Sequence, residues 1–205
     1  MLHGVQNFNQ TICFMDCLER EPARKRAFLF SVSKHLIFSI FEKIKSNMSI
    51  TIGSSAPDFS LYDSDKNKVS LSDFKGNKNV LLLFFPMAFT GTCTEELCSV
   101  RDDIGRYSNA NAQVLGISVD SVFTLAKYRE EQSYNFPLLS DFNKEVSTTY
   151  ETIYESFTPM NMKGVGKRSA FIIDRDGIVQ YAEVLESAGD LPNFTAINNK
   201  LQCLG

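Results

Sequence analysis

The sequence predicts an α/β domain, and three observations carry that reading. The apolar run 79–85, Asn-Val-Leu-Leu-Leu-Phe-Phe, is too short for a helix and is closed by Pro86, so it reads as a strand buried on both faces. Residues 92–107 then place Cys93, Leu97, Val100, Ile104 and Tyr107 at spacings that share one helical face. Late in the chain, Arg175-Asp176-Gly177 separates two further apolar runs, 169–174 and 178–184, and Asp-Gly between such runs signals a hairpin. Strands alternating with helices and ending in an antiparallel pair imply a central mixed sheet flanked by helices on both faces.

The remaining elements follow in order. Phe59-Ser60-Leu61 and Val69-Ser70-Leu71 flank a polar stretch from Asp63 to Lys68 and predict an N-terminal hairpin. Residues 113–119, from Gln113 to Val119, read as a second buried strand. Ser121 is placed to cap a helix that runs to Gln132. Leu138-Leu139 leads into a turn at Asp141, with a short helix to about residue 150. Residues 191–201 close the chain as a helix.

At 205 residues the chain fits one domain with an appendage, and a 43% apolar share is enough to build a core without disulfide staples. A net charge of −3 argues against nucleic acid as a partner. The charge is uneven: residues 1–47 hold seven Lys/Arg against four Asp/Glu, and residues 48–205 hold fourteen against twenty. Both histidines, His3 and His35, lie in the first segment. The rest of the chain therefore has no Cys–His dyad and no histidine metal site. Five cysteines without framework spacing do not describe an oxidised secreted scaffold, and the expected compartment is the cytoplasm. Cys13 and Cys17 sit one helical turn apart but lack the companion pair that a metal site requires, and Cys203 reads as a spectator.

Two segments of unlike character are expected, an extension over 1–47 and a folded domain over 48–205. The extension carries a basic then apolar run from Ala23 to Phe41, interrupted by Lys34 and His35 and too short to span a bilayer. Three readings stand: an upstream extension not normally part of the protein, a basic amphipathic helix touching a membrane surface, or a cleaved targeting segment. The first is preferred, with the working chain starting at Met48 and no membrane partner.

The chemistry concentrates at Pro86-Met87-Ala88-Phe89-Thr90-Gly91-Thr92-Cys93. A buried strand, a tight turn and a cysteine at a helix start make a site for thiolate, because unpaired N–H groups and the helix dipole favour the anion. The competing reading, a buried structural cysteine packed as a small hydrophobe, fits poorly beside Gly91 and two threonines. A free cysteine, with a pKa near 8.5, is only about 3% thiolate at pH 7. A helix dipole contributes about 0.3–1 kcal/mol, so a cation is needed as well.

Pro86-x-x-x-Thr90-x-x-Cys93 resembles the active-site signature of the peroxiredoxins, thiol peroxidases built on a thioredoxin-like fold. The words Phe84-Phe85-Pro86-Met87-Ala88-Phe89-Thr90-Gly91 and Phe136-Pro137-Leu138-Leu139-Ser140-Asp141-Phe142 resemble the alkyl hydroperoxide reductase E type. The five-residue step from Cys93 to Cys98 resembles the bacterioferritin-comigratory, or Q-type, branch. The likeness runs from about residue 54 to residue 201.

That resemblance implies a role for each residue. Cys93 attacks peroxide, and Arg168, at the start of the strand 169–174, is the cation that faces it, with Lys167 and Arg101 as alternatives. A guanidinium cannot lose its proton and can hold a thiolate and a peroxide oxygen together; a solvated charge at a strand end is the plainer reading. Thr90 hydrogen-bonds the peroxide and the cysteine sulfur while also serving as a helix N-cap. Pro86 shields the pocket. Glu96 orients the arginine, or is an ordinary first-turn glutamate. Cys98 resolves the oxidised Cys93 as an intramolecular disulfide, or is an inert exposed thiol. On an intact helix, residues five apart are separated by about 7.5 Å of rise and about 140°, so that disulfide requires local unwinding.

The implied activity is reduction of hydrogen peroxide and organic hydroperoxides, with a thioredoxin- or glutaredoxin-type dithiol as reductant and no cofactor or metal. A homodimer is compatible with it. Two rivals remain. A thioredoxin-like disulfide oxidoreductase would want Cys-x-x-Cys beside tryptophan, whereas Thr90 holds the first cysteine's place and the chain has no tryptophan. A redox sensor or holdase without physiological turnover would use the same sulfenic acid.

Overall fold

The computed structural model describes residues 50–158 and 160–205. The expectations for residues 1–47, including Cys13, Cys17 and the boundary at Met48, lie outside the described residues.

Seven strands form one mixed sheet. β1 (Ser60–Asp63) and β2 (Lys68–Ser70) make the expected hairpin, whose turn is built on Asp63: its Oδ1 accepts from the Asp65 and Asn67 N–H groups, each at 2.8 Å. A 3-10 turn (Leu71–Phe74) leads to β3 (Asn79–Phe84), and the next strand is β4 (Ala112–Ser118). β5 (Leu138–Ser140), β6 (Ser169–Ile173) and β7 (Val179–Val184) complete the sheet in the order β2-β1-β5-β4-β3-β6-β7. β3 pairs parallel with β4 and antiparallel with β6. The two strand ends that carry the site are therefore neighbours across the sheet.

β3 is buried at all six positions, and its alternation divides the core in two. Leu81, Leu83 and the following Phe85 face one cluster with Cys93, Leu97, Leu125, Tyr128, Ile172, Ile197 and Leu201. Val80, Leu82 and Phe84 face another with Phe59, Leu115, Ile117, Val146, Tyr150 and Phe171. Each buried leucine contributes about 1.5–3 kcal/mol. The first face is covered by α1 (Gly91–Asp102), α2 (Ile104–Asn109), α3 (Val122–Gln132) and α5 (Phe194–Leu204). The second is covered by the 3-10 turn and by α4 (Glu145–Thr149), only five residues long. Helices do lie on both faces, but very unequally.

Three details differ from the sequence reading. The helix expected over 92–107 is two helices, because Asp103 leaves helical geometry (φ −106°, ψ 14°) and ends α1; its carboxylate pairs with Arg106 at 3.0 Å. Leu138 and Leu139 belong to a strand, β5, too short for periodicity to reveal. The closing helix starts at Phe194, where the Asn193 side chain accepts from the Ala196 N–H at 3.0 Å. The cap at Ser121 and the hairpin at Gly177, whose φ is 83°, stand as expected.

Candidate active site

The site sits where β3 runs out. Pro86 is buried at the strand exit and ends pairing there. The turn that follows is held from the next strand, since the Ala88 N–H donates to Asp120 Oδ2 at 2.8 Å and Ser118 Oγ donates to the same oxygen at 2.7 Å. Phe89 takes the left-handed conformation (φ 62°), unusual for an aromatic residue, and its ring lies 4.8 Å from that of Tyr128. Thr90 is the N-cap residue of α1 by backbone geometry. Its hydroxyl does not cap: it donates to the Met87 carbonyl at 2.9 Å, tightening the turn instead. The capping half of the Thr90 expectation is thereby corrected.

Cys93 occupies the first turn of α1 and is 1% exposed. Arg168, the residue just before β6, is also 1% exposed and donates from Nη2 to Cys93 Sγ at 3.3 Å. The same guanidinium donates from Nη1 to Glu96 Oε2, and from Nη2 to the Ala188 carbonyl at 3.0 Å. Glu96 lies one turn beyond Cys93 and is fully buried, so it is no ordinary first-turn surface glutamate. Lys167 and Arg101 point elsewhere: Lys167 Nζ pairs with Glu186 at 2.9 Å, and Arg101 pairs with Asp102 at 2.8 Å.

One guanidinium thus serves two acidic partners in a dry site. Burial pushes the Glu96 carboxyl up to about 7, against the lowering pull of the Arg168 charge and hydrogen bond. Its second oxygen, Oε1, has no hydrogen-bond partner, which agrees with a group that readily takes a proton. The sign follows: the Glu96 contribution to stability is present in full below about 4.5 and is lost as pH rises through about 7. Arg168 itself is held upward, with burial opposing its charge and Glu96 and Cys93 together outweighing that opposition.

Cys98 is half-buried on the second turn of α1, not exposed, with its thiol 3.8 Å from Gln132 Oε1. Cys93 and Cys98 are both free thiols, and Cys203 is an exposed one. Sequence reasoning missed Asp120, Tyr128 and the Ala188 carbonyl. A carboxylate at the end of an apolar strand, next to a capping serine, was the one available signal for Asp120. Nothing local marks Ala188, whose contribution is a backbone oxygen.

A buried cysteine at a helix start, held by an equally buried guanidinium, defines a thiol-based redox protein on a thioredoxin-like sheet. The comparisons narrow that class. The AhpC/TSA family matches residues 52–182, and the chain belongs to that family, which places it among the peroxiredoxins. It is 39% identical over 137 residues to alkyl hydroperoxide reductase E of Mycobacterium tuberculosis, covering 66% of this chain and 86% of that one. Peroxidoxin BcpB from the same organism superposes with a TM-score of 0.67 at 28% identity, over 76% of this chain and 99% of that chain. A peroxiredoxin Q mutant from Xylella fastidiosa gives 0.67 at 25% identity, over 75% and 96%.

Proposed function

We propose that this chain is a thiol-dependent peroxidase acting on hydrogen peroxide and organic hydroperoxides through Cys93. The observation that carries the proposal is the 3.3 Å contact between Arg168 Nη2 and Cys93 Sγ in a site closed to water. The guanidinium favours the thiolate and has one further N–H, on Nη1, to present to a second, developing anion. In the first step the thiolate sulfur attacks one peroxide oxygen and the O–O bond breaks. The leaving oxygen takes a proton and departs as water or alcohol, and sulfur is left as sulfenic acid. Pro86 and the Thr90 turn keep the approach narrow, and Glu96 orients the guanidinium.

In the second step Cys98 gives up its proton and attacks the sulfenic sulfur; an S–S bond forms, the S–O bond breaks, and the hydroxide leaves with that proton as water. An external dithiol of the thioredoxin or glutaredoxin type then restores both thiols by two exchanges. The support for Cys98 is its place on the same helix, half-buried and within reach once the first turns unwind. The folded domain over 48–205, working in a reducing compartment, carries all of these groups.

Stopped-flow mixing with stoichiometric peroxide tests the reading. The wild type is expected to consume peroxide orders of magnitude faster than free cysteine, and Cys93→Ser to lose that consumption while keeping its fold. Retained consumption in the serine variant would remove Cys93 from the role.

A further inference from the structure

Resolution demands that the start of α1 unwind, so whatever holds that start sets how fast it happens. Thr94 is the hinge of the hold. Its hydroxyl donates to the Thr90 carbonyl at 2.9 Å, which spends its single proton. The 2.9 Å contact between Thr94 Oγ1 and Tyr128 Oη must therefore be donated by the tyrosine. Tyr128 is fully buried on α3, and Phe89, in its left-handed conformation, lies against its ring. The first turn of α1 is thus tied to a neighbouring helix by one phenol.

The second half of the device is Tyr134. Its ring stands edge-on to Tyr128, centroids 5.1 Å apart. Its hydroxyl is buried with no partner at hydrogen-bond geometry, although the Tyr128 phenol and the Cys98 thiol are both near enough to act on it electrostatically. A buried hydroxyl without a partner is costly. Here it offers something: when Thr94 leaves, Tyr128 can turn its proton to Tyr134 and remain bonded.

We propose that Tyr128, Thr94 and Tyr134 form a hydrogen-bond exchange that sets the balance between disulfide formation and over-oxidation of Cys93. With α1 wound, Tyr128 donates to Thr94 and the sulfenic acid stays in the pocket, exposed to a second peroxide. With α1 unwound, Tyr128 donates to Tyr134, and Cys98 is free to attack. All three are positioning residues; none is hydrogen-bonded to Cys93 Sγ, which is held by Arg168.

The proposal rests on the reading of Cys98 as resolving cysteine, and one experiment separates the two. Full-length protein is mixed with stoichiometric peroxide, quenched with acid at intervals, and the Cys93–Cys98 disulfide is timed by mass spectrometry. Sulfinic acid is counted in parallel under excess peroxide. Thr94→Val removes both bonds of the wound state, the one Thr94 accepts from Tyr128 and the one it donates to the Thr90 carbonyl, so the disulfide should form about three- to tenfold faster and sulfinic acid should fall. Tyr134→Phe removes only the unwound-state bond and relieves the unpaired hydroxyl, so the disulfide should form slower by a similar factor and sulfinic acid should rise. In a Tyr128→Phe background, which abolishes both bonds, Tyr134→Phe should change neither readout. The first peroxide step should be the same throughout. A purely structural role would not give opposite signs, nor a Tyr134 effect that depends on the Tyr128 hydroxyl. Disulfide rates equal in wild type, Thr94→Val and Tyr134→Phe overturn the exchange alone. No disulfide in the wild type overturns the Cys98 reading and the exchange with it.

Discussion

At the residue scale three partners compete for one buried guanidinium, that of Arg168: Cys93 Sγ, Glu96 Oε2 and the Ala188 carbonyl. Removing it leaves the Glu96 carboxyl, already pushed up to about 7 with the guanidinium in place, buried, protonated and without a hydrogen-bond partner, a loss of about 1–3 kcal/mol. Arg168→Ala is therefore expected to lower both the peroxide rate and the midpoint of denaturant unfolding. Adding Glu96→Leu to it should restore much of the stability, since no polar group is then left buried without a partner, and none of the rate. Recovery of the rate in the double variant would mean that the guanidinium serves Glu96 rather than the sulfur. Unlike a lysine, which offers a single ammonium, the planar fork meets all three partners at once.

The site is positioned at the element scale by where β3 stops. The segment just beyond its parallel partner β4 supplies Asp120, and that carboxylate holds the Ala88 N–H, so the turn carrying Phe89 and Thr90 is anchored to the sheet's end rather than to itself. Asp120→Ala should cost about 1–3 kcal/mol for the unsatisfied N–H it leaves. It should also slow the peroxide step less than Arg168→Ala does, as thermal unfolding and stopped-flow mixing would show together. An unchanged rate and stability would mean that the turn needs no tether. Most of these elements were legible in the sequence. The runs 79–85 and 169–174 announced themselves by composition, and Ser121 and Gly177 by local chemistry that tertiary packing did not override. The break at Asp103 was not legible, because Ile104 and Tyr107 keep the helical spacing across it. β5 was not legible because three residues cannot show a period. Thr90 carried two expectations, a hydrogen bond to the peroxide and the cysteine sulfur and a helix cap, and its hydroxyl instead donates to the Met87 carbonyl.

At the scale of the whole described domain, the sheet does what sequence proximity cannot. Cys93 and Arg168 lie 75 positions apart and meet because β3 and β6 are antiparallel neighbours, with Phe84 opposite Ser169. The motif marked Cys93 directly, whereas Arg168 was legible only through a resemblance, since nothing local distinguishes a buried strand-end arginine from a solvated one. The face that carries the site is covered by the longer helices, α1, α3 and α5, and α1 bears both Cys93 and Cys98. The central claim is that these thiols work as a pair, Cys93 meeting peroxide and Cys98 closing the cycle. Mass spectrometry of the wild type after one equivalent of peroxide tests it most directly. The account predicts a peptide joining Cys93 to Cys98 and lighter by two hydrogens, with Cys203 still a free thiol. A persistent sulfenic acid on Cys93 with Cys98 still reduced would contradict it, and would make this a one-cysteine enzyme resolved by an outside thiol.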